Sequence, residues 1–196
     1  ALGKHNNLVI TAAPGAGKTT RVPPALLSIT DKKILVLEPR RLAAVAARQR
    51  IAEENNWNWG QEVGYQVRFE NQISPETRLI FLSEALLTRK MLKDPELKDI
   101  GIVILDEFHE RSLHVDLAIG LLRELQQMSR PDLKIIVMSA TLDAQMLSKF
   151  LDGCPIVNVP GKLYDMNFEN IKEAQLLKTD RTFIERVTEQ VKKFAS

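Results

Sequence analysis

Six short runs rich in Ile, Val and Leu, at residues 8–12, 33–37, 79–82, 102–105, 135–138 and 156–159, are separated by longer stretches that read as helices. A strand with one wet face alternates apolar and polar residues, but several of these runs are apolar on consecutive positions. They predict strands covered on both faces. The intervening stretches, 19–29, 41–54, 84–92, 116–128 and 143–150, supply the covering helices. On one of them Leu117, Leu121, Leu122 and Leu125 recur at helical spacing and are expected in the core. Strand–helix alternation of this kind predicts a doubly wound, mainly parallel α/β sheet with helices on both faces. Ligands on such sheets bind beyond the carboxyl ends of the strands, so the residues directly after each strand carry the functional information.

After the first strand comes Ala12-Ala13-Pro14-Gly15-Ala16-Gly17-Lys18-Thr19-Thr20. This is a P-loop in which Ala12 stands where the general pattern has its first glycine. Gly15 and Gly17 let backbone N–H groups converge on phosphate oxygens at a helix N-terminus. Lys18 reaches the terminal phosphates and the Thr19 hydroxyl can ligate Mg²⁺. A glycine-rich turn without a ligand is the bland alternative, and the strand before and helix after weigh against it.

After the fourth run comes Asp106-Glu107-Phe108-His109-Glu110-Arg111. A carboxylate at a strand end opposite a P-loop, Asp106, is placed to hold Mg²⁺, and its neighbour Glu107 to orient and deprotonate an attacking water. Zinc binding by His109 and His114 fails on spacing, because a zinc-protease helix needs HExxH. The two motifs together indicate hydrolysis of ATP or another nucleoside triphosphate.

Composition excludes little. Lys plus Arg number 27 against 25 Asp plus Glu in 196 residues, so any nucleic-acid binding must come from a local cluster rather than a bulk field. One cysteine, Cys154, cannot form an internal disulfide, which favours a reducing compartment. No apolar run is long enough to span a membrane and no secretory signal opens the chain, so a cytoplasmic enzyme is expected. Trp57 and Trp59 lie in an Asn-rich connector. They could stack bases, but such residues more often cap the edge of a core.

Asp106-Glu107-Phe108-His109 resembles the motif that names the DEAH-box helicases, with Phe where Ala is usual. The run 106–122, DEFHERSLHVDLAIGLL, is similar to the bacterial HrpB-like branch, where Phe is common at that position. Further segments follow in family order. Pro39-Arg40-Arg41-Leu42-Ala43-Ala44 resembles motif Ia, and residues 64–70 (GYQVRFE) the hook-turn. Ser83-Glu84-Ala85 takes the place of motif Ib, with alanine for a glycine. Ser139-Ala140-Thr141 resembles motif III, and residues 160–164 (PGKLY) the stretch that follows it.

The resemblance implies a RecA-like P-loop NTPase fold over residues 1–170, with 171–196 leading toward a second RecA-like domain. It implies that Lys18, Thr19, Asp106 and Glu107 form the phosphate, Mg²⁺ and water site. His109 with Ser139, Ala140 and Thr141 would relay the nucleotide state. Arg50, on the helix after motif Ia, would stack on the base, as a planar guanidinium can. Arg40, Arg41, Arg68, Ser83 and Glu84 would line the path of a single-stranded nucleic acid, RNA in preference to DNA. The alternative for the arginines is pairing with acids on a solvated surface.

The family's second domain supplies arginine fingers from a QxxGRAGR segment, and this sequence has none. Such fingers contribute about 10³–10⁵ in rate, so the chain alone is expected to bind nucleotide weakly, hydrolyse it slowly and unwind nothing. The tail, 179–194, reads as an amphipathic helix with Phe183, Val187 and Val191 on one face. Two other functions compete. A P-loop NTPase of another class would lack the segments at 39–44, 64–70 and 139–141. A nucleic-acid-binding module with a dead ATPase would not need Lys18, Asp106 and Glu107 intact.

Overall fold

The computed structural model describes residues 2–58, 60–140 and 144–160, together with 184, 185, 187–189, 191 and 192. The chain divides into two units, Ala1–Leu163 and Tyr164–Ser196.

Among the described residues the first unit forms one sheet of eight strands: β1 (Asn7–Ala12), β2 (Lys33–Leu37), β3 (Val63–Val67), β4 (Glu70–Gln72), β5 (Leu79–Leu82), β6 (Ile100–Leu105), β7 (Lys134–Ser139) and β8 (Ile156–Val159). Their spatial order is β4-β3-β5-β2-β6-β7-β1-β8. Every neighbouring pair is parallel except β3 with β4. Around it lie the helices α1 (Lys18–Ala25), α2 (Arg41–Asn55), α3 (Glu84–Lys93), α4 (Leu113–Met128) and α5 (Ala144–Phe150).

Successive side chains on a strand point to opposite faces, and the two cores follow that rule. Leu35, Leu37, Val103, Leu105, Ile135 and Val137 face one core with Leu87 of α3, Leu122 and Leu125 of α4 and Leu147 of α5. Ile34, Val36, Ile102, Ile104, Ile136 and Met138 face the other with Leu26 and with Ala44, Ala47 and Ile51 of α2. Strands β2 and β6 are therefore buried on both sides, as their unbroken apolar runs require. Trp57 packs on the edge of the second core; Trp59 lies outside the described residues.

Four expectations need correction. First, the segment 63–72 forms a β3–β4 hairpin that no apolar run announced. Gly64 is bare there because a Cβ would run into the Gln72 carbonyl. Second, Leu117 is exposed and Leu121 only half-buried, and Val115, Ala118 and Ile119 join Leu122 and Leu125 on the buried face of α4. Third, the first helix ends at Ala25 and tightens into a 3₁₀ turn, Leu26–Ser28; Pro23 and Pro24 remove two N–H donors that an α-helix would use. Fourth, β8 is an edge strand whose four residues are all exposed. In the second unit, residues 184, 185, 187–189, 191 and 192 are helical, with Ile184, Val187 and Val191 exposed; Phe183 and residues 161–164 lie outside the described residues.

Candidate functional site

The P-loop joins β1 to α1. Ala12 is the last residue of β1, is buried, and is not among the residues with positive φ, which is why an alanine fits where the pattern has glycine. Gly15 and Gly17 have φ of 75° and 78°, a region that glycine enters at little cost. Gly17 is the N-cap of α1. Lys18 is buried, and its Nζ donates to the carbonyl oxygens of Ala12 (2.8 Å) and Ala13 (3.2 Å). An ammonium has three protons, so one remains for a phosphate oxygen.

Asp106 follows β6, on the far side of β7 from the P-loop. Thr19 Oγ1 donates to Asp106 Oδ2 at 2.5 Å, and the Glu107 N–H donates to Oδ1 at 2.8 Å. Asp106 is 1% exposed. Burial pushes its carboxyl up to about 6, although the bonds from Thr19 and Glu107 pull the other way. A buried carboxyl that resists ionisation, facing a hydroxyl, is a site that a hard cation with oxygen ligands relieves. The donor set therefore fits Mg²⁺.

Glu107 has φ 45° and ψ 40°, a left-handed conformation that costs an L-residue about 1–2 kcal/mol. It opens a 3₁₀ turn, Phe108–Glu110, closed by the Glu110 N–H on the Glu107 carbonyl at 2.9 Å. Phe108 anchors the turn in the first core, so the departure from the usual Ala adds packing beneath the acidic turn. His109 Nδ1 lies 3.3 Å from Glu107 Oε2, without the alignment of a hydrogen bond.

A cavity of about 380 Å³ beside these groups is lined by Thr19, Thr20, Glu38, Arg40, Arg50, Glu107 and Glu110. Arg50 donates from Nε to Glu54 at 2.6 Å, one turn along α2. Glu38 was missed by motif reading, although it directly follows β2. It is 2% exposed and accepts the Arg40 N–H at 3.3 Å. Burial, and then the carboxylates of Asp106, Glu107 and Glu110, push its carboxyl up to about 8 against that bond. Ser139 ends β7 fully buried, and its hydroxyl has no partner among the described residues. Ala140 is half-buried beside it, and Thr141 lies outside the described residues.

The expected nucleic-acid residues occupy the same sheet edge but divide into two sets. Arg40 is the N-cap of α2, and its guanidinium pairs with Glu110 at 2.6 Å. Arg41 pairs with Glu70 at 2.6 Å, and Glu70 also accepts from the Tyr65 hydroxyl. The Glu84 carboxylate accepts from the hydroxyl of Ser112, the N-cap of α4. These three side chains are tied to protein partners. Arg68, in contrast, forms no ion pair among the described residues; it stacks on the ring of Phe69 at 4.8 Å. Phe69 has φ 68° and is 93% exposed. Arg68, Phe69, Ser83, Ala85 and Arg89 line a groove of about 600 Å³.

A family model described as DEAD/DEAH box helicase matches residues 1–150. The chain is 48% identical over 166 residues to the ATP-dependent RNA helicase HrpB of Escherichia coli strain K12, covering 84% of this chain and 20% of that protein. It is 39% identical over 163 residues to the probable ATP-dependent RNA helicase DHX34 of Homo sapiens, covering 83% of this chain and 14% of that one. A crystal structure of the E. coli DExH-box NTPase HrpB superposes with a TM-score of 0.77 at 48% identity, over 82% of this chain and 20% of the other. The chain thus spans about a fifth or less of the curated relatives it matches.

Proposed function

The chain belongs to the DEAD/DEAH box helicase family, and on that premise we propose that it is the first RecA-like motor domain of a DEAH-type helicase, hydrolysing ATP with Mg²⁺ and acting on single-stranded RNA. The observation that carries this reading is the 2.5 Å bond between Thr19 of the P-loop and Asp106 of the Asp-Glu turn, which joins the phosphate-binding and acidic elements in one site.

Lys18 donates to the terminal phosphate. Thr19 and Asp106 would hold the metal, which when bound would neutralise charge on the phosphates. Glu107 orients the attacking water and accepts its proton. His109 with Ser139, Ala140 and Thr141 relays the outcome to the rest of the protein. Arg50, on the cavity wall with Thr19 and Thr20, stacks on the base. Arg40, Arg41, Arg68, Ser83 and Glu84 lie along the strand's path.

Stacking and phosphate contacts do not read sequence, so discrimination among nucleotides is weak. The preference for RNA rests on the names of the two relatives, an ATP-dependent RNA helicase and a probable ATP-dependent RNA helicase. Residues 1–170 form the motor domain, and 171–196 lead toward a second RecA-like domain that completes the site. A cytoplasmic setting accords with Cys154, a buried free thiol whose pKa burial raises, and with the lack, among the described residues, of a helix long and apolar enough to cross a membrane.

The test is ATP hydrolysis by the full-length protein with and without single-stranded RNA or DNA, beside Glu107→Gln. Stimulation by RNA alone, abolished in the variant, is the expected result. Robust hydrolysis indifferent to both polymers would point to a P-loop NTPase of another class. Nucleotide binding without any hydrolysis would point to an inactive binding module.

A further inference from the structure

Two side chains from separate segments meet at the mouth of the nucleotide cavity. Arg40 reaches across from the start of α2 to Glu110, with Nη2 at 2.6 Å from Oε1 and Nε donating to Oε2 at 3.3 Å. One of these two contacts is a hydrogen bond and the other an ion-pair approach, and the same guanidinium donors can serve a phosphate as well as a carboxylate.

Each end of the pair is fixed to something that matters. Glu110 closes the 3₁₀ turn: its N–H bonds the Glu107 carbonyl at 2.9 Å. A pull on the Glu110 side chain therefore acts on the turn that holds Glu107 in its left-handed conformation. The Arg40 backbone is held apart from its guanidinium, because its N–H donates to the buried Glu38 carboxyl group. The guanidinium can thus change partners while the start of α2 stays in place.

The Arg40 side chain is 71% exposed and that of Glu110 30%. Pairs this open are weak, since water screens them. A phosphate arriving at the rim can displace Glu110 from Arg40 at little cost.

We propose that the Arg40–Glu110 pair is a nucleic-acid-sensitive latch on the catalytic turn: a strand phosphate takes Arg40, Glu110 is released, and the turn carrying Glu107 is freed to reach its hydrolytic position. Glu110 is a positioning residue in this scheme, since it acts on the reaction through Glu107. The proposal rests on the reading of the protein as a nucleic-acid-stimulated ATPase. It adds the route by which the polymer is sensed. The polymer and Glu110 compete for Arg40, so loosening the latch strengthens polymer binding; the turn is then already free, and the polymer has less left to add to the rate.

The test uses the full-length protein and measures ATP hydrolysis against the concentration of a single-stranded oligouridylate, for the wild type, for Glu110→Gln and for the exchanged pair Arg40→Glu/Glu110→Arg. Glu110→Gln is expected to lower the half-saturating oligonucleotide concentration by about two- to five-fold, as loss of a weak competing contact should. Its rate without RNA rises and its fold-stimulation shrinks, while the KM for ATP and the melting temperature stay at wild-type values. The exchanged pair restores the restraint, so its rate without RNA falls back below that of Glu110→Gln, and stimulation is lost.

A Glu110→Gln protein with wild-type half-saturation and wild-type stimulation overturns the latch. So does one that binds RNA more weakly, because Glu110 would then be presenting Arg40 to phosphate rather than competing for it. A wild-type enzyme that no polymer stimulates is a separate result, and it overturns the helicase reading itself.

Discussion

The P-loop pole and the arginine rim share the carboxyl edge of one sheet and are built in opposite ways. At the pole the polar groups are buried. Lys18, Asp106 and Glu38 each take hydrogen bonds from or give them to neighbours in the protein. At the rim, Arg40 and Arg41 stand in solvent and pair with Glu110 and Glu70. A buried polar group that loses its partner bears the full cost of desolvation, whereas an exposed pair can trade its partner for water or phosphate. Lys18, Asp106 and Glu38 are therefore set before ligand arrives, while the rim, with the turn it restrains, is made of contacts that a ligand can replace.

The largest break in this contrast is at the pole. Glu107→Gln is expected to reduce ATP hydrolysis by the full-length protein by about 10²–10⁴-fold, because it removes the acceptor of the water's proton. Binding of a fluorescent ATP analogue should persist, and near-normal turnover would take Glu107 out of the chemistry.

Next comes Glu38, where pH separates buried from exposed. The folded chain holds this carboxyl protonated up to about pH 8, while an ordinary glutamate ionises near 4.5. The folded state thus binds the extra proton between those values. The stabilisation this gives is complete below pH 4.5 and is lost as pH rises through 8. Glu38→Gln keeps an acceptor for the Arg40 N–H and has nothing to ionise. At pH 8 it should be more stable than the wild type by about 2–4 kcal/mol in urea melts of the 196-residue chain, with the gap closing near pH 4. A pH-independent difference would show that Glu38 is solvated.

Effects shrink at the rim. Arg68→Ala should weaken binding of single-stranded RNA by about three- to ten-fold and reduce the slope of log affinity against log salt by about one. An unchanged slope would mean that Arg68 touches no phosphate. The smallest expected effect is that of Arg41→Ala on stability, below about 1 kcal/mol, since its pair with Glu70 is open to water. A loss of several kcal/mol would show that this pair is structural and move it to the pole's side of the comparison.

The two sets of residues were unequally legible. The P-loop and acidic-turn residues stood out because those motifs need particular residue types directly after a strand, and the strands announced themselves as runs rich in Ile, Val and Leu. The β3–β4 hairpin did not. Gly64 and Gln66 interrupt its first strand, and its second, Glu70–Gln72, is polar throughout. It owes its place to pairing with β5 and to the Glu70 network, which no local pattern displays. Leu117 misled for a related reason: helical spacing marks a stripe, but only the packed neighbours decide which stripe turns inward. The start of α4 was readable in principle, since Ser112 caps it by accepting the Val115 N–H.

The sequence by itself determined the alternation of buried strands and helices, and it determined which side chains stand at the strand ends. Those facts depend on periodicity and residue type, which are local. Only the tertiary structure decided the partners. Thr19 and Asp106 are 87 residues apart, and Arg40 and Glu110 are 70 apart. They meet because β6, β7 and β1 lie side by side with β2 next to β6. Strand order is settled by the packing of the whole sheet, and a through-space bond between distant loops exists only once that order is in place.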